Sequence, residues 1–315
     1  MISDLPHAEE APGVRGVDLW DRGLAHHTSG YVIAAPSPAL VEAGAARSTP
    51  VWLRALADLG IAPADLAYII VTHIHLDHAG GIGTLLRHAP AARVVVHRHG
   101  ARHLIDPSRL VAGARQVFGD NLESYFGLPE PVPEARLLVP EPGAELDLGG
   151  GHRLRFFDAS GHARHQHMIL DGGAGCLFSG DELGGRFADA ASDYVLPDTA
   201  PNQFDPDAML RSADLLRTLR PEGVLFSHFG RYPRDGETLR RRLHDQVGAF
   251  VALGNSGPQP PRWEQVHPRL VEHVQRDLAA RGVAWTAAVE RALADHLEVS
   301  AQGIVDYHRR HPRDG

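Results

Sequence analysis

The run Tyr68-Ile69-Ile70-Val71-Thr72-His73-Ile74-His75-Leu76-Asp77-His78-Ala79-Gly80-Gly81 restricts what this chain can fold into more than any other segment. Its first four residues are apolar without alternation. That is the pattern of a strand buried on both faces, in a sheet covered by helices on each side. The run then turns polar, and Gly80-Gly81 lets the chain turn tightly beside the polar stretch and start a helix at close approach. His73 and His75 are two apart, so an extended backbone points them to the same side. Asp77 and His78 follow in the turn, where adjacent side chains diverge, so one pair can hold one metal and the other pair a second. A lone histidine would be read as a surface or core residue. Packing gives no reason to bury four potential ligands within six residues, since each unpaired polar group costs a few kcal/mol.

The remaining sequence is consistent with an α/β body. Tyr31-Val32-Ile33, Val94-Val95-Val96, Leu154-Arg155-Phe156-Phe157, Met168-Ile169-Leu170 and Val224-Leu225-Phe226 are predicted strands, several bounded by Gly or Asp turns. Thr49-Pro50 predicts a helix start with Thr49 as cap, and Val51, Leu53, Leu56 and Leu59 repeat helically. Asp205-Pro206 opens a second helix that runs to Pro221. Residues 128–142 are rich in Pro and Glu and predict an exposed connection. After Tyr232 the character becomes helical: residues 237–253, then a Gly/Pro linker over 254–261, then helical periodicity from Trp263 through Val271, Val274, Leu278, Val289, Leu293 and Leu297. The expected division is a catalytic domain over 1–232 and an α-helical extension over 233–315 packed on it, able to cap a substrate pocket or form a homodimer face.

Composition narrows the function. A net charge of -8 argues against a nucleic-acid binder, which needs a basic stripe to neutralise phosphates. A small anionic substrate stays open, because divalent metals reverse the local field of a pocket. The one cysteine, Cys176, cannot form an internal disulfide and sits in an apolar run, which predicts a buried structural thiol. Residues 1–10 carry no signal-peptide core and no stretch approaches a membrane span, so a cytoplasmic protein with no membrane partner is expected. The 21 histidines exceed an ordinary share, and histidine is the commonest nitrogen ligand for transition metals.

His73-x-His75-x-Asp77-His78 resembles the signature of the metallo-β-lactamase-fold hydrolase superfamily. The resemblance covers roughly residues 14–232 and implies a four-layer αββα sandwich, here with the C-terminal helical extension. The family's remaining ligands are a His, an Asp and a final His at later strand ends. His162 in Ser160-Gly161-His162, Asp181 after Ser179-Gly180 and His228 after Ser227 match in order and placement. By that resemblance His73, His75 and His162 bind one metal, Asp77, His78 and His228 a second, and Asp181 bridges them. The set suits two divalent ions, Zn²⁺ first, with Fe²⁺ or Mn²⁺ also served. No thiolate stands at the second site, unlike some lactamase members. The chain looks closer to the glyoxalase II and lactonase branches, and to similar hydrolases with a motif like His103-Leu104-Ile105-Asp106-Pro107-Ser108-Arg109-Leu110. Where the fold commonly has Asp after the strand Ala39–Val41, this chain has Glu42, a carboxylate expected to orient a ligand.

The resemblance implies a small-molecule ester, thioester or lactone cleaved by a metal-bridging hydroxide, with Asp181 or Asp77 passing the proton to the leaving group. Tyr194 could donate a hydrogen bond to a substrate carbonyl, as in similar lactonases; the alternative is a tyrosine packed in a loop. His165 could face the pocket, one of His165 and His167 being structural, and Arg164 and Arg186 could bind an anionic substrate group. His97, His99 and His103 cluster near a strand end without forming a convincing further metal site, and His26-His27 carries no assignment. Three rivals remain. Non-haem iron chemistry of the persulfide dioxygenase or flavodiiron kind keeps the fold, but the flavodiiron type has Glu where His75 stands and a flavodoxin-like domain not found here. A phosphodiesterase is disfavoured by the short interval from Asp181 to His228 and by the acidic balance. A non-catalytic binding protein would have lost ligands, and none is missing.

Overall fold

The structure, a computed structural model, describes residues 8–186, 193–255 and 262–312. The chain divides into two compact units that alternate along the sequence. The first comprises Met1–Asp158, His165–Gly180 and Gly223–Arg231, and the second Ala159–Arg164, Asp181–Glu222 and Tyr232–Gly315. The change of character at Tyr232 is thus the start of the last segment of the second unit, which also draws on two earlier stretches.

The first unit holds two sheets. One runs in the order β1 (Glu9–Ala11), β2 (Val14–Asp18), β3 (Ser29–Ile33), β4 (Ala39–Val41), β5 (Tyr68–Ile70), β6 (Arg93–Val95) and β7 (Leu137–Leu138). It is antiparallel through β4 and parallel from β4 to β7. The other joins β8 (Glu145–Gly149), β9 (His152–Asp158), β10 (His167–Asp171), β11 (Cys176–Gly180), β12 (Gly223–Phe226) and β13 (Gly230–Arg231), with only β11 and β12 parallel. Val41, Ile70 and Val95 of one sheet share an apolar core with Phe156, Ile169, Phe178 and Leu225 of the other. Their neighbours Leu40, Ile69 and Val94 face the opposite way, into a core with α1 (Thr49–Asp58). A strand's period of two sends adjacent residues to opposite faces, so the unalternating apolar run of β5 is what a sheet buried on both sides requires.

Shorter helices complete this unit: α2 (Leu76–Ala79), α3 (Ile82–Leu86), α4 (Ala101–Ile105), α5 (Ser108–Phe118) and α6 (Leu122–Phe126). Two expectations need correction. Thr49 is already helical and its hydroxyl meets that of Thr84 at 2.6 Å, so Ser48 holds the cap position. The stretch 128–142 is not wholly an exposed connection: Val132 is buried and β7 extends the first sheet. Cys176 lies buried in β11, as expected, and burial pushes its thiol pKa up.

The second unit is built on α7 (Pro206–Leu219), α8 (Gly236–Leu253), α9 (Trp263–Ala280) and α10 (Ala287–Arg310). Asp205 caps α7 by accepting the Ala208 N–H. Phe250, Leu270, Val274, Leu278, Val289, Leu293 and Leu297 form the apolar core, largely the positions that the helical periodicity picks out. From residue 256 onward the expected linker over 254–261 lies outside the described residues. No helix among the described residues is long and apolar enough to cross a membrane.

Candidate metal centre

The first unit carries five of the seven expected ligands. β5 ends at Ile70, so His73 and His75 sit in a loop beyond the strand rather than on it. Their rings still converge: Nε2 of His73 lies 3.0 Å from Nδ1 of His75. Two nitrogens bound tetrahedrally to one zinc are about 3.3 Å apart, so this pair fits a shared cation. His75 keeps an extended backbone immediately before α2, which carries Asp77 and His78.

Asp77, His78 and His228 form a three-residue group, with one donor atom from each within 4.8 Å of the others. Oδ2 of Asp77 lies 3.4 Å from Nε2 of His78 and 3.4 Å from Nε2 of His228. The opposite ring nitrogens are engaged. Nδ1 of His228 donates to the His27 carbonyl at 2.8 Å, and Nδ1 of His78 faces Oε1 of Glu42 at 3.3 Å. Such partners fix the tautomer and leave Nε2 as the ligand atom. Two imidazole nitrogens and a carboxylate directed at one another fit a divalent ion. Burial would raise the Asp77 pKa, but His78 and His228 hold it well below the usual carboxylate range.

Glu42 organises this half of the centre. It is buried at a left-handed backbone position, φ 69°. Its carboxylate accepts from the Thr72 hydroxyl at 2.5 Å, the Thr72 N–H at 3.2 Å and the Ser227 hydroxyl at 2.8 Å. Thr72 immediately precedes His73 and Ser227 immediately precedes His228, so one side chain touches the approach to two ligands and a third ligand directly. The expected orienting role is what the hydrogen bonds describe. Gly80 and Gly81 do not make a tight turn, for both keep helical φ values. They permit close approach instead: a Cβ on Gly81 would lie 2.6 Å from the Ala43 carbonyl oxygen.

His165 and His167 separate as expected. The His165 ring lies 5.2 Å from that of His75, edge-on, and is stacked 6.1 Å from that of His73. His167 points elsewhere, donating from Nε2 to the Val71 carbonyl at 2.9 Å, and burial pushes its pKa down to about 4. His97 pairs with Asp158 at 3.2 Å, and Arg98 binds the same carboxylate through two nitrogens. Arg98 and Asp158 form the ion pair with His97 as a hydrogen-bond partner, and among the described residues no group of potential metal ligands includes His97, His99 or His103.

The second unit carries the other two expected ligands. The backbone N–H groups of Gly161 and His162 donate to Glu182, and the Gly161 carbonyl accepts from Asp205 N–H at 2.8 Å. Only glycine fits at 161, since a Cβ would lie 2.3 Å from Met209 backbone atoms. The His162 ring presents Nε2 to Oδ2 of Asp181 at 3.7 Å, while Nδ1 lies 3.0 Å from the carbonyl and 3.3 Å from Oδ1 of Asp198. Burial lowers the His162 pKa, but Asp198 and Asp181 outweigh it and bring it up to about 9. Asp198, Glu182 and the His27 carbonyl were not legible as site groups in the sequence: the first is distant along the chain, and the last is backbone.

Tyr194 also lies in the second unit. It is 1% exposed in the core of the helical unit with Phe250, Leu270 and Leu278, and its hydroxyl has no hydrogen-bond partner among the described residues. The Arg281 guanidinium lies 5.5 Å from its ring centre. The phenol is thus packed among helices of the second unit.

Comparison with known proteins gives the family and the fold. The sequence model of the metallo-beta-lactamase superfamily matches residues 26–228. A metallo-beta-lactamase fold-containing protein of Sulfurisphaera tokodaii is 33% identical over 168 residues, 52% of this chain and 61% of that protein. A putative diflavin flavoprotein of Synechocystis is 27% identical over 321 residues, 93% of this chain but 50% of that protein. The chain thus spans between half and about three fifths of the length of these relatives. Among solved structures, an archaeal superfamily protein from Sulfolobus tokodaii has a TM-score of 0.67 at 23% identity, covering 93% of this chain and 98% of that one. A beta-lactamase domain protein from Burkholderia ambifaria has a TM-score of 0.65 at 18% identity, covering 98% and 90%. At such identities the likeness shows the fold alone, the four-layer αββα class with a C-terminal helical region. The sequence match carries the kinship: it spans more than half of the chain and ends on His228 itself, so this chain belongs to the metallo-β-lactamase superfamily.

Proposed function

We propose that the chain is a dinuclear-metal hydrolase of small esters, thioesters or lactones. His73, His75 and His162 hold one ion, Asp77, His78 and His228 hold the other, and Asp181 is shared. The observation that carries this reading is the Asp77–His78–His228 group, whose two imidazoles have their far nitrogens tied and their near nitrogens beside one carboxylate. Two divalent ions, when bound, acidify a water and polarise a carbonyl or phosphoryl oxygen. The protein's own contribution is to fix the ligands. Glu42 and the His27 carbonyl keep His78 and His228 as Nε2 donors, and Asp198 does the same for His162. Asp77, held ionised by its two histidine neighbours, serves as a ligand. Asp181 or Asp77 would pass a proton to the leaving group, and both would also be ligands in this reading. Zn²⁺ fits the nitrogen-rich set best, and Fe²⁺ or Mn²⁺ is compatible with the carboxylates.

The similarity to diflavin flavoproteins favours a second reading, iron-dependent oxygen chemistry. His75 speaks against it, since the resemblance gives flavodiiron proteins Glu at that position. Metal-loaded protein assayed on a panel of esters, thioesters, lactones and phosphodiesters, with oxygen uptake followed in parallel, separates the two. Turnover of a carbonyl ester without oxygen consumption supports hydrolysis, and oxygen uptake with an inert panel overturns it.

A further inference from the structure

The superfamily assignment leaves the C-terminal helix α10 without a role. Residues 198–205 run along it, fastened by polar contacts at successive points. The Thr199 hydroxyl donates to the Ser300 carbonyl at 2.9 Å. The Asn202 N–H donates to Oδ2 of Asp306 at 3.1 Å, and Arg310 donates to the Phe204 carbonyl at 2.8 Å. Arg310 also holds Asp306 at 2.7 Å, and the Tyr307 ring meets Phe204 edge-on at 5.9 Å. Gly303 sets the closeness of the contact. A Cβ there would lie 1.5 Å from the Thr199 carbonyl oxygen and 2.6 Å from its carbon, both backbone atoms that cannot rotate away.

Both ends of this segment reach one expected metal ligand. At one end Asp198 holds Nδ1 of His162, with His296 of α10 4.0 Å from the same carboxylate. At the other, Asp205 N–H donates to the carbonyl of Gly161, the residue before His162. A helix kept only for its apolar face would bury Ala301 and Ile304, and it does. Apolar burial alone does not call for a bare glycine and three hydrogen bonds along the strand of chain that orients His162.

We propose that α10 is a positioning brace for His162: by docking residues 198–205 it sets the ring orientation, and through it the affinity, of the ion that His162 binds. The inference rests on the proposed metal reading. Groups that orient a metal-bound histidine typically change affinity about 10–100-fold when removed.

The test uses the full chain and zinc or cobalt alone as probe. Ions per chain and their affinities are measured by chelator competition for the unsubstituted protein, Gly303→Ala, the double variant Thr199→Val with Arg310→Ala, and His162→Ala as reference, with circular dichroism to confirm folding. The brace predicts that Gly303→Ala and the double variant remain folded and bind one ion about tenfold more weakly. Their cobalt absorption should move toward that of His162→Ala, with the second affinity kept. Thr199→Val conserves volume and Arg310 is exposed, so the double variant decides if Gly303→Ala does not fold. Two unchanged affinities in a folded double variant, or a parallel loss of both ions, overturn the brace and leave the metal reading standing. An unsubstituted protein that binds neither zinc nor cobalt overturns both.

Discussion

Glu42 is the residue on which the ordering of the first unit's ligands converges. Its oxygens accept from Thr72 and Ser227 and face His78, all of them buried groups. Removing the acceptor leaves those donors unsatisfied, at about 1–3 kcal/mol each. Glu42→Ala should therefore destabilise the metal-free protein by about 3 kcal/mol, read by urea denaturation. Glu42→Gln keeps the size but offers an N–H to an N–H at His78. It should weaken metal binding by at least about tenfold while costing less stability than Glu42→Ala, measured by chelator competition. His167 makes a prediction about pH. Burial lowers its pKa from 6.5 to about 4, so the unfolded chain takes up this proton at higher pH than the folded one. Stability from the neutral imidazole is complete above about pH 6.5 and is lost as pH falls toward about 4. His167→Gln retains a donor for the Val71 carbonyl and should flatten that part of the profile. The fall in unfolding free energy between about pH 7 and about pH 5 should shrink by about 1–2 kcal/mol.

Among the elements, α2 shows how a very short helix can be held in place. It is only Leu76–Ala79, too short to be stable by itself. The Ala43 N–H donates to the His78 carbonyl and the Gly81 N–H to the Gly44 carbonyl, both at 2.8 Å, so α2 is fastened to the chain leaving β4. Gly81→Ala would push a methyl against the Ala43 and Ala45 carbonyl oxygens, at 2.6 and 2.9 Å. It should cost about 1–3 kcal/mol of stability and weaken the ion bound by Asp77 and His78. Gly113→Ala in α5 is the control: nothing lies within 4 Å of its added Cβ. There the change should stabilise by about 0.5–1 kcal/mol through helix propensity, with metal affinity unchanged. Thermal melts and metal titration of both variants check the pair.

Across the whole molecule, the parts legible in the sequence are those where chemistry and chain order coincide. β5 was readable because a strand buried on both faces needs consecutive apolar residues, and Ile69 and Ile70 enter separate cores. The ligand-bearing loops were readable because each starts at the end of a strand: His73 follows Ile70, His162 follows Asp158, Asp181 follows Gly180 and His228 follows Phe226 within four residues. What could not be read depends on contacts distant in sequence or on backbone atoms. Asp198 reaches His162 across 36 positions, and the His27 carbonyl that fixes His228 leaves no residue signature. The surroundings of Tyr194 were not legible either, because its nearness to Asp181 in sequence says nothing of the helical core that packs around it. The alternation of the two units had no compositional mark before Tyr232.

The central claim is that the Asp77–His78–His228 group holds one of two ions. Metal content of the purified protein and of His228→Ala, measured by elemental mass spectrometry after equilibration with zinc, tests it most directly. The account predicts two ions per chain in the unsubstituted protein and one in His228→Ala, both folded. No zinc in the unsubstituted protein, or two ions retained without His228, would contradict it.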